Sequence, residues 1–529
     1  MRLHYSKLAL CLAAALWGAG LSQPALAQDD TMVVNIASAP SNLDPAWTCG
    51  LWDIGFVQNF YVRLTQYGEK PGPDGTTEFD SSNIVPYLAE SWTISDDGKT
   101  YTFKLNEGWK FPSGNPVDST AVKYSFERAL TMNGCGAYYL LDGFYTPPLI
   151  ESMTTPDPTT LIIQLAHPDA NALQNWAQPA GSVVDASVVE ANGGIEAGKP
   201  NEWMASNVAG SGPFLLDSYV ANQSAVLSAN PDFGGVAPGV GKIQVNWISS
   251  APTLLLQARS GQADVTLGMA KQPASTLRDN PNVRVIANSV AISQMVILPN
   301  KKAPWDNVKV REAVTYAIPY QDILDKIAFG WGTLFYGALM PTMAEFNPDL
   351  SKPRQFDLEK ARALIAESGV ATPIPIVLTL LEGDAVQAQI ATVLQSTWKE
   401  IGIDMTIRIV PAAEFQDQAE GHKAQTLMRL DGPGVIEAGY FLGYDMICDL
   451  GFNLTEVCLP DAEKLLAEAR QTNDMALRAK NYDEITKIWI AASPKVYLFE
   501  DKMLSILSKR VVKYHFAHEM DFKTWSLKK

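Results

Sequence analysis

From Phe356 to about Leu430 the sequence alternates helix-period and strand-period stretches, and that alternation calls for an α/β sheet covered by helices. Asp357 is placed to cap a helix that carries Leu358, Ala361, Leu364 and Ile365 on one face and stops near Gly369. The strand "IPIVLTLL" follows. Asp384 then opens a second helix with Val386, Ile390, Val393, Leu394, Thr397 and Trp398 inward, ending at Gly402. The strand "DMTIRIV", the helix "AAEFQDQAEG" and the strand "AQTLMRL" complete the series.

Residues 31 to about 300 read differently, as short strands separated by turns: "MVVNIAS", "YTFKL", "TLIIQL", "SAVLSA", "IQVNWIS" and "VRVIANS". In "YTFKL", Tyr101, Phe103 and Leu105 share one face and Thr102 and Lys104 the other. Asp97-Gly98 turns this strand back on "SWTIS". A strand-rich first part and an α/β second part predict two lobes, and two lobes predict a cleft.

The chain opens with Arg2 and Lys7, an uncharged run from Leu8 to Leu21, and the small-x-small tripeptide Ala25-Leu26-Ala27. These are the parts of a signal peptide cleaved after Ala27, so export to the periplasm is expected. The formal net charge is −16, or −18 once Arg2 and Lys7 are gone. That field disfavours nucleic acid and anionic lipid as partners. Four cysteines follow the cleavage point: Cys49, Cys135, Cys448 and Cys458. In an oxidising compartment an even set reads as disulfides, with three possible pairings. Loop closure favours Cys448 with Cys458, which leaves Cys49 with Cys135.

No catalytic motif stands out. "AGSGPF" lacks the spacing of a nucleophile elbow, and "GGVAPGVGK" fails as a phosphate loop. Of the four histidines after the cleavage point, only those of "HFAHEMD" have a metal-like spacing, and no third ligand stands near. No cofactor is expected. Pairs of carboxylates for glycoside hydrolysis are not tested by spacing among 57 acidic residues, so an exported hydrolase is retained as an alternative.

The segment Tyr87 to Leu130, "YLAESWTISDDGKTYTFKLNEGWKFPSGNPVDSTAVKYSFERAL", resembles the signature region of the family 5 extracytoplasmic solute-binding proteins of ABC importers. "SNLDPAW" (41–47), "VAGSGPFLL" (208–216), "LLLQARSGQADV" (254–265), "PWDNVKVREAVTYAI" (304–318), "FDLEKARALIAESG" and "WKEIGIDMTIRI" resemble further family segments in family order. There are departures: Ser119-Thr120-Ala121-Val122 stands where the family has Ala-x-Asp-Val, and Pro319 stands where an aspartate is usual. Leu430 stands where a tryptophan is usual, so ligand identity transfers less well than fold.

The resemblance implies a bilobal α/β periplasmic binding protein fold with an extra subdomain inserted in the first lobe. After the signal peptide (1–27), the segments expected are 28–72 and 205–295 for lobe I, 73–204 for the insertion, 296–497 for lobe II, and 498–529 for the return to lobe I. The quoted hairpin belongs to the insertion, with Trp92, Tyr101, Phe103 and Trp109 as core. Hinge strands are expected near Val296–Asn300 and Lys495–Glu500. Asp431 matches the aspartate that pairs with a peptide's α-ammonium, and it equally suits a turn position before Gly432-Pro433. Trp47 is implied at the cleft wall, and Tyr138 and Tyr139 on a loop that reaches the ligand. Arg429 is a candidate for an acidic ligand group. The partners implied are a peptide-like solute and a membrane permease with its ATPase, with the chain itself a monomer. Opines, oligosaccharides and metal chelates are the alternative solutes. Nickel is disfavoured, because "DGPGVIEAGYFLGYD" contains no histidine.

Overall fold

The computed structural model describes residues 30–48, 50–142, 148–517 and 519–528. The signal peptide, Cys49 and His518 lie outside the described residues. Among the described residues no helix is long and apolar enough to cross a membrane.

The principal sheet has eleven strands. At one end, Ile403–Val410, Ile374–Leu381 and Thr426–Asp431 run parallel. The capped helices fall where the periodicity puts them. Asp357 accepts from the Lys360 amide at 2.9 Å and Asp384 from the Gln387 amide at 2.9 Å. Gly369 and Gly402 take the left-handed conformation at φ 69° and 84°. At the other end, Thr31–Ile36 lies parallel to Val265–Leu267 and Lys242–Trp247, with Ser224–Ala229 and Phe214–Val220 closing the edge. Helix Ala251–Ser260 makes the crossover between two of these parallel strands.

Two long antiparallel strands join the ends. Val283–Ser289 pairs with Lys502–Ser508, while Ser293–Ile297 pairs with Lys495–Glu500, and the register shifts between Ser289 and Ser293. The crossing strands are those the sequence pointed to. The break in pairing lies at Ser289–Ser293, just before the stretch expected from the sequence.

A separate four-stranded antiparallel sheet comprises Ala89–Ile94, Thr100–Leu105, Thr160–Leu165 and Ile150–Asp157. Trp92 opposes Phe103, Ile94 opposes Tyr101, and Gly98 makes the turn at φ 70°. Tyr101, Phe103 and Leu105 are buried with Trp176, whose ring meets Tyr101 edge-on at 5.1 Å. The hairpin therefore supplies the core of its own subdomain. Strand Thr77–Pro86 pairs instead with Thr65–Pro71 and His515–Ala517, which ties the C-terminal segment to the first lobe. Helix Ser119–Met132 is fixed to the loop before Cys49 by a buried two-pronged pair: Arg128 Nη1 donates to Asp44 Oδ1 at 2.9 Å, and Nη2 to Oδ2 at 2.5 Å.

Glu500 sits where the long strands cross. It is 1% exposed, and its Oε1 accepts from the Thr342 amide at 2.9 Å. Burial pushes its carboxyl from 4.5 up to about 7. The folded form therefore holds a proton that the unfolded chain releases between these values. This contribution to stability is complete below about pH 4.5 and is lost as pH rises through about 7. Asp169 and Glu345, also raised to about 7 chiefly by burial, act in the same direction. The expected outcome for Glu500→Gln is a higher thermal midpoint than the parent near pH 8 and a flatter decline between about pH 5 and 8, read by calorimetry.

Candidate functional site

A cavity of about 610 Å³ lies against the crossing strands. Ile292, Met295 and Ile297 of Val283–Ile297 and Lys495 of Lys495–Ser508 form one wall. Alternation along the strand decides this: Met295 and Ile297 face the cavity, while Val296 between them is fully buried in the core of the second α/β half. Leu51 and Ile54 of helix Leu51–Val57 and Tyr139 of helix Cys135–Leu141 also line it. Phe441, Tyr444 and Asp445 come from helix Ala438–Met446, and Arg429, Leu430 and Asp431 from the end of Thr426–Asp431.

Charges in this cavity come as pairs. Arg429 and Asp431 share one face of their strand and meet at 2.5 Å, both partly open to solvent. Asp431 Oδ1 also accepts from the Gly432 amide at 2.9 Å, so the carboxylate serves the turn as well as the cavity. Lys495 and Asp445 form a buried pair at 2.5 Å, with the ammonium 4.8 Å from the Tyr497 ring centre and 5.6 Å from that of Phe441. Glu420 adds a third carboxylate, held by the Gln416 amide. Burial, with the Asp431 charge adding to it, raises the Tyr444 phenol above its ordinary pKa, so it stays neutral and able to donate.

Of the residues singled out in the sequence, Asp431, Arg429 and Tyr139 meet at the cavity. Tyr138 stands behind the wall: its ring packs edge-on at 5.7 Å against Phe452, which lines the cavity, beside buried Tyr440. Trp47 lies against Gly134 and packs with the core of the inserted sheet. Cys448 and Cys458 are disulfide-bonded, with their Cα atoms 4.8 Å apart. Cys135 is itself in a disulfide, and Cys49 lies outside the described residues. The Lys495–Asp445 pair escaped the sequence reading. Its signal is a lone aspartate in the otherwise uncharged helix "AGYFLGYDM", and a lone lysine opening the buried strand "KVYLF".

The glycines of "DGPG" have a steric purpose. A Cβ on Gly432 would stand 1.9 Å from the Ala291 carbonyl oxygen, and one on Gly434 would stand 2.3 Å from the Tyr139 ring. The missing side chain at Gly434 is what lets the Tyr139 ring, from helix Cys135–Leu141, lie against this loop.

Residues 83–448 match the family model described as bacterial extracellular solute-binding proteins, family 5 Middle. A probable D,D-dipeptide-binding periplasmic protein of Escherichia coli is 28% identical over 487 residues, covering 91% of this chain and 90% of its own. Heme-binding protein A of Haemophilus influenzae is 26% identical over 505 residues, covering 92% and 90%. Among solved structures, HbpA2 from Haemophilus parasuis superposes with a TM-score of 0.80 at 24% identity, over 94% of this chain and all of its own. The periplasmic binding protein DppA from Helicobacter pylori, in complex with the peptide STSA, gives 0.76 at 22% identity, over 94% and 98%.

Gly434→Val puts two methyl groups where the Tyr139 ring lies. The expected outcome is at least tenfold weaker solute binding by calorimetric titration, with the thermal midpoint of the solute-free protein changed by no more than about 2 °C.

Proposed function

The chain belongs to the bacterial extracellular solute-binding proteins of family 5, and from that premise we propose that it captures a peptide-like solute for an ABC importer. The cavity of about 610 Å³ is within the roughly 300–1,000 Å³ typical of sites for small ligands. Its wall combines apolar and aromatic side chains, as suits solute side chains of varied shape, with charged groups on more than one element.

The observation that carries the reading is the Arg429–Asp431 pair, standing partly open at the cavity wall. A ligand ammonium that takes Asp431 leaves Arg429 seeking an anion, and a ligand carboxylate meets that need. A solute with one charge alone breaks an ion pair and leaves half of it unmatched, which is unfavourable in a desolvated site. The exchange therefore favours a zwitterion, and a short peptide is one.

Binding is proposed to act without chemistry. Ligand contacts available in one arrangement of the lobes draw the equilibrium toward it. The loaded form then docks on a permease driven by its ATPase. Movement is proposed about the register shift at Ser289–Ser293, with the second lobe at 296–497 and the first lobe and its insertion made of the remaining segments after residue 27. Secretion through the N-terminal signal, action as a monomer and a Cys49–Cys135 bridge belong to the same proposal. The amide of Gly136 donates to the Ala46 carbonyl at 3.1 Å, which brings the segments before Cys49 and around Cys135 together.

Native mass spectrometry of gently purified protein is expected to show retained masses that fragment as di- to pentapeptides. A retained opine, sugar or chelate would preserve the transport role and remove the amine assignment. Turnover of a retained solute would favour a hydrolase instead. With an identified peptide, Asp431→Ala is expected to weaken binding about 10- to 100-fold, roughly 1.4–3 kcal/mol, by titration calorimetry. An unchanged affinity would return Asp431 to the role of a turn residue.

A further inference from the structure

A second hollow, of about 40 Å³, shares no lining residue with the cavity. It forms where four parts of the chain distant in sequence meet: 58–67, Phe79, 177–179 and 515–521. Its lining includes Gln58, Arg63, Tyr67, Gln178, His515 and Asp521. Arg63 is only 6% exposed, and among the described residues its Nε and Nη1 have no hydrogen-bond acceptor. Its guanidinium carbon stands 5.9 Å from the Tyr87 ring centre, a contact that leaves the N–H edge unmet.

Asp521, the one carboxylate of that lining, is paired with Lys523 at 3.2 Å. Lys523 in turn donates to Gln66 Oε1 at 2.7 Å and lies 4.6 Å from the Tyr87 ring centre. His515 Nδ1 is 2.8 Å from Thr77 Oγ1 and 3.9 Å from half-exposed Glu69. Arginine does not shed its proton. A buried guanidinium whose unmet donors touch no carboxylate, the one carboxylate of the lining being engaged by a lysine, is a condition that favours an anion. Water would satisfy the N–H groups and leave the charge. At about 10–15 Å³ for each water position, the hollow has room for one small ion and one or two waters, and none for a phosphate ester or a peptide terminus.

We propose that this hollow is a binding site for a small monovalent inorganic anion of the size of chloride, held by the Arg63 guanidinium. The ion stitches the start of the first lobe, the end of the inserted subdomain and the C-terminal segment together, so it acts on stability and not on solute affinity. A ligand bound only by the folded form raises the unfolding midpoint with its concentration.

The test uses the mature protein with chloride exchanged for gluconate at constant ionic strength, gluconate being too large for the hollow. Chloride is expected to raise the thermal midpoint by about 1–3 °C, and Arg63→Gln to abolish that dependence. Crystals of the unaltered protein soaked in bromide provide a readout that needs no variant: an anomalous peak is expected in contact with the Arg63 guanidinium. The proposal is overturned by a water bridging Arg63 to Asp521 with no anomalous signal there, or by a chloride effect of the same size in Arg63→Gln.

Discussion

The antiparallel pairing of Val283–Ile297 with Lys495–Ser508 is the constraint on which the rest of the molecule depends. Through it the parallel strands of both halves become one sheet. Because it also supplies Ile292, Met295, Ile297 and Lys495 to the cavity, the connection between the halves and the wall of the site are the same structure. Any change of angle at the Ser289–Ser293 shift redirects these side chains. A solute seated in this cavity would therefore touch the connecting strands directly. Buried Glu500, opposite Ser293 at this crossing, places a titrating group at the point where the sheet changes register.

A chain with a formal net charge of −16 nonetheless buries several of its cations. Arg470 reaches Asp142 and Asp169 of the inserted subdomain and donates to the Gly439 carbonyl at 3.1 Å. Arg478 meets Glu437, the cap of helix Ala438–Met446, at 2.5 Å. That helix delivers Phe441, Tyr444 and Asp445 to the cavity, so its position is set partly by charges that never touch solute. Buried ion pairs are a weak source of net stability. Their value here is geometric: each demands its partner at one place, and removing either partner strands a charge.

How much of this was legible depends on how local its cause is. The α/β alternation from Phe356 onward, the hairpin around Gly98, the helix caps at Asp357 and Asp384 and the Cys448–Cys458 bridge are written within a few residues, and the structure follows the sequence at each. Tyr138 and Tyr139 show the limit. Adjacent residues on a helix point about 100° apart, so the helix offers one of them to the cavity and turns the other to Phe452, and packing across the chain selects which. The register shift at Ser289–Ser293 is less local, since "VRVIANSVAISQMVI" contains neither glycine nor proline and its Asn288-Ser289 does not by itself announce a shift. Lys495 and Asp445 stand far apart in sequence, and only the fold makes them partners.

Three arginines separate what burial and pairing each decide. Arg128 is buried and its two terminal nitrogens are held by both oxygens of Asp44, so its charge is matched within the chain and its role is structural. Arg429 has a single partner, in part-solvated surroundings, and so can exchange it for a ligand at modest loss. Arg63 is as enclosed as many core residues, and among the described residues its Nε and Nη1 meet no acceptor, a state that an ion from outside the chain would complete. The guanidinium is the same in each case. Whether it locks the fold, reads a solute or retains an ion follows from where the opposing charge is found: within the chain and enclosed, within the chain and replaceable, or outside the chain.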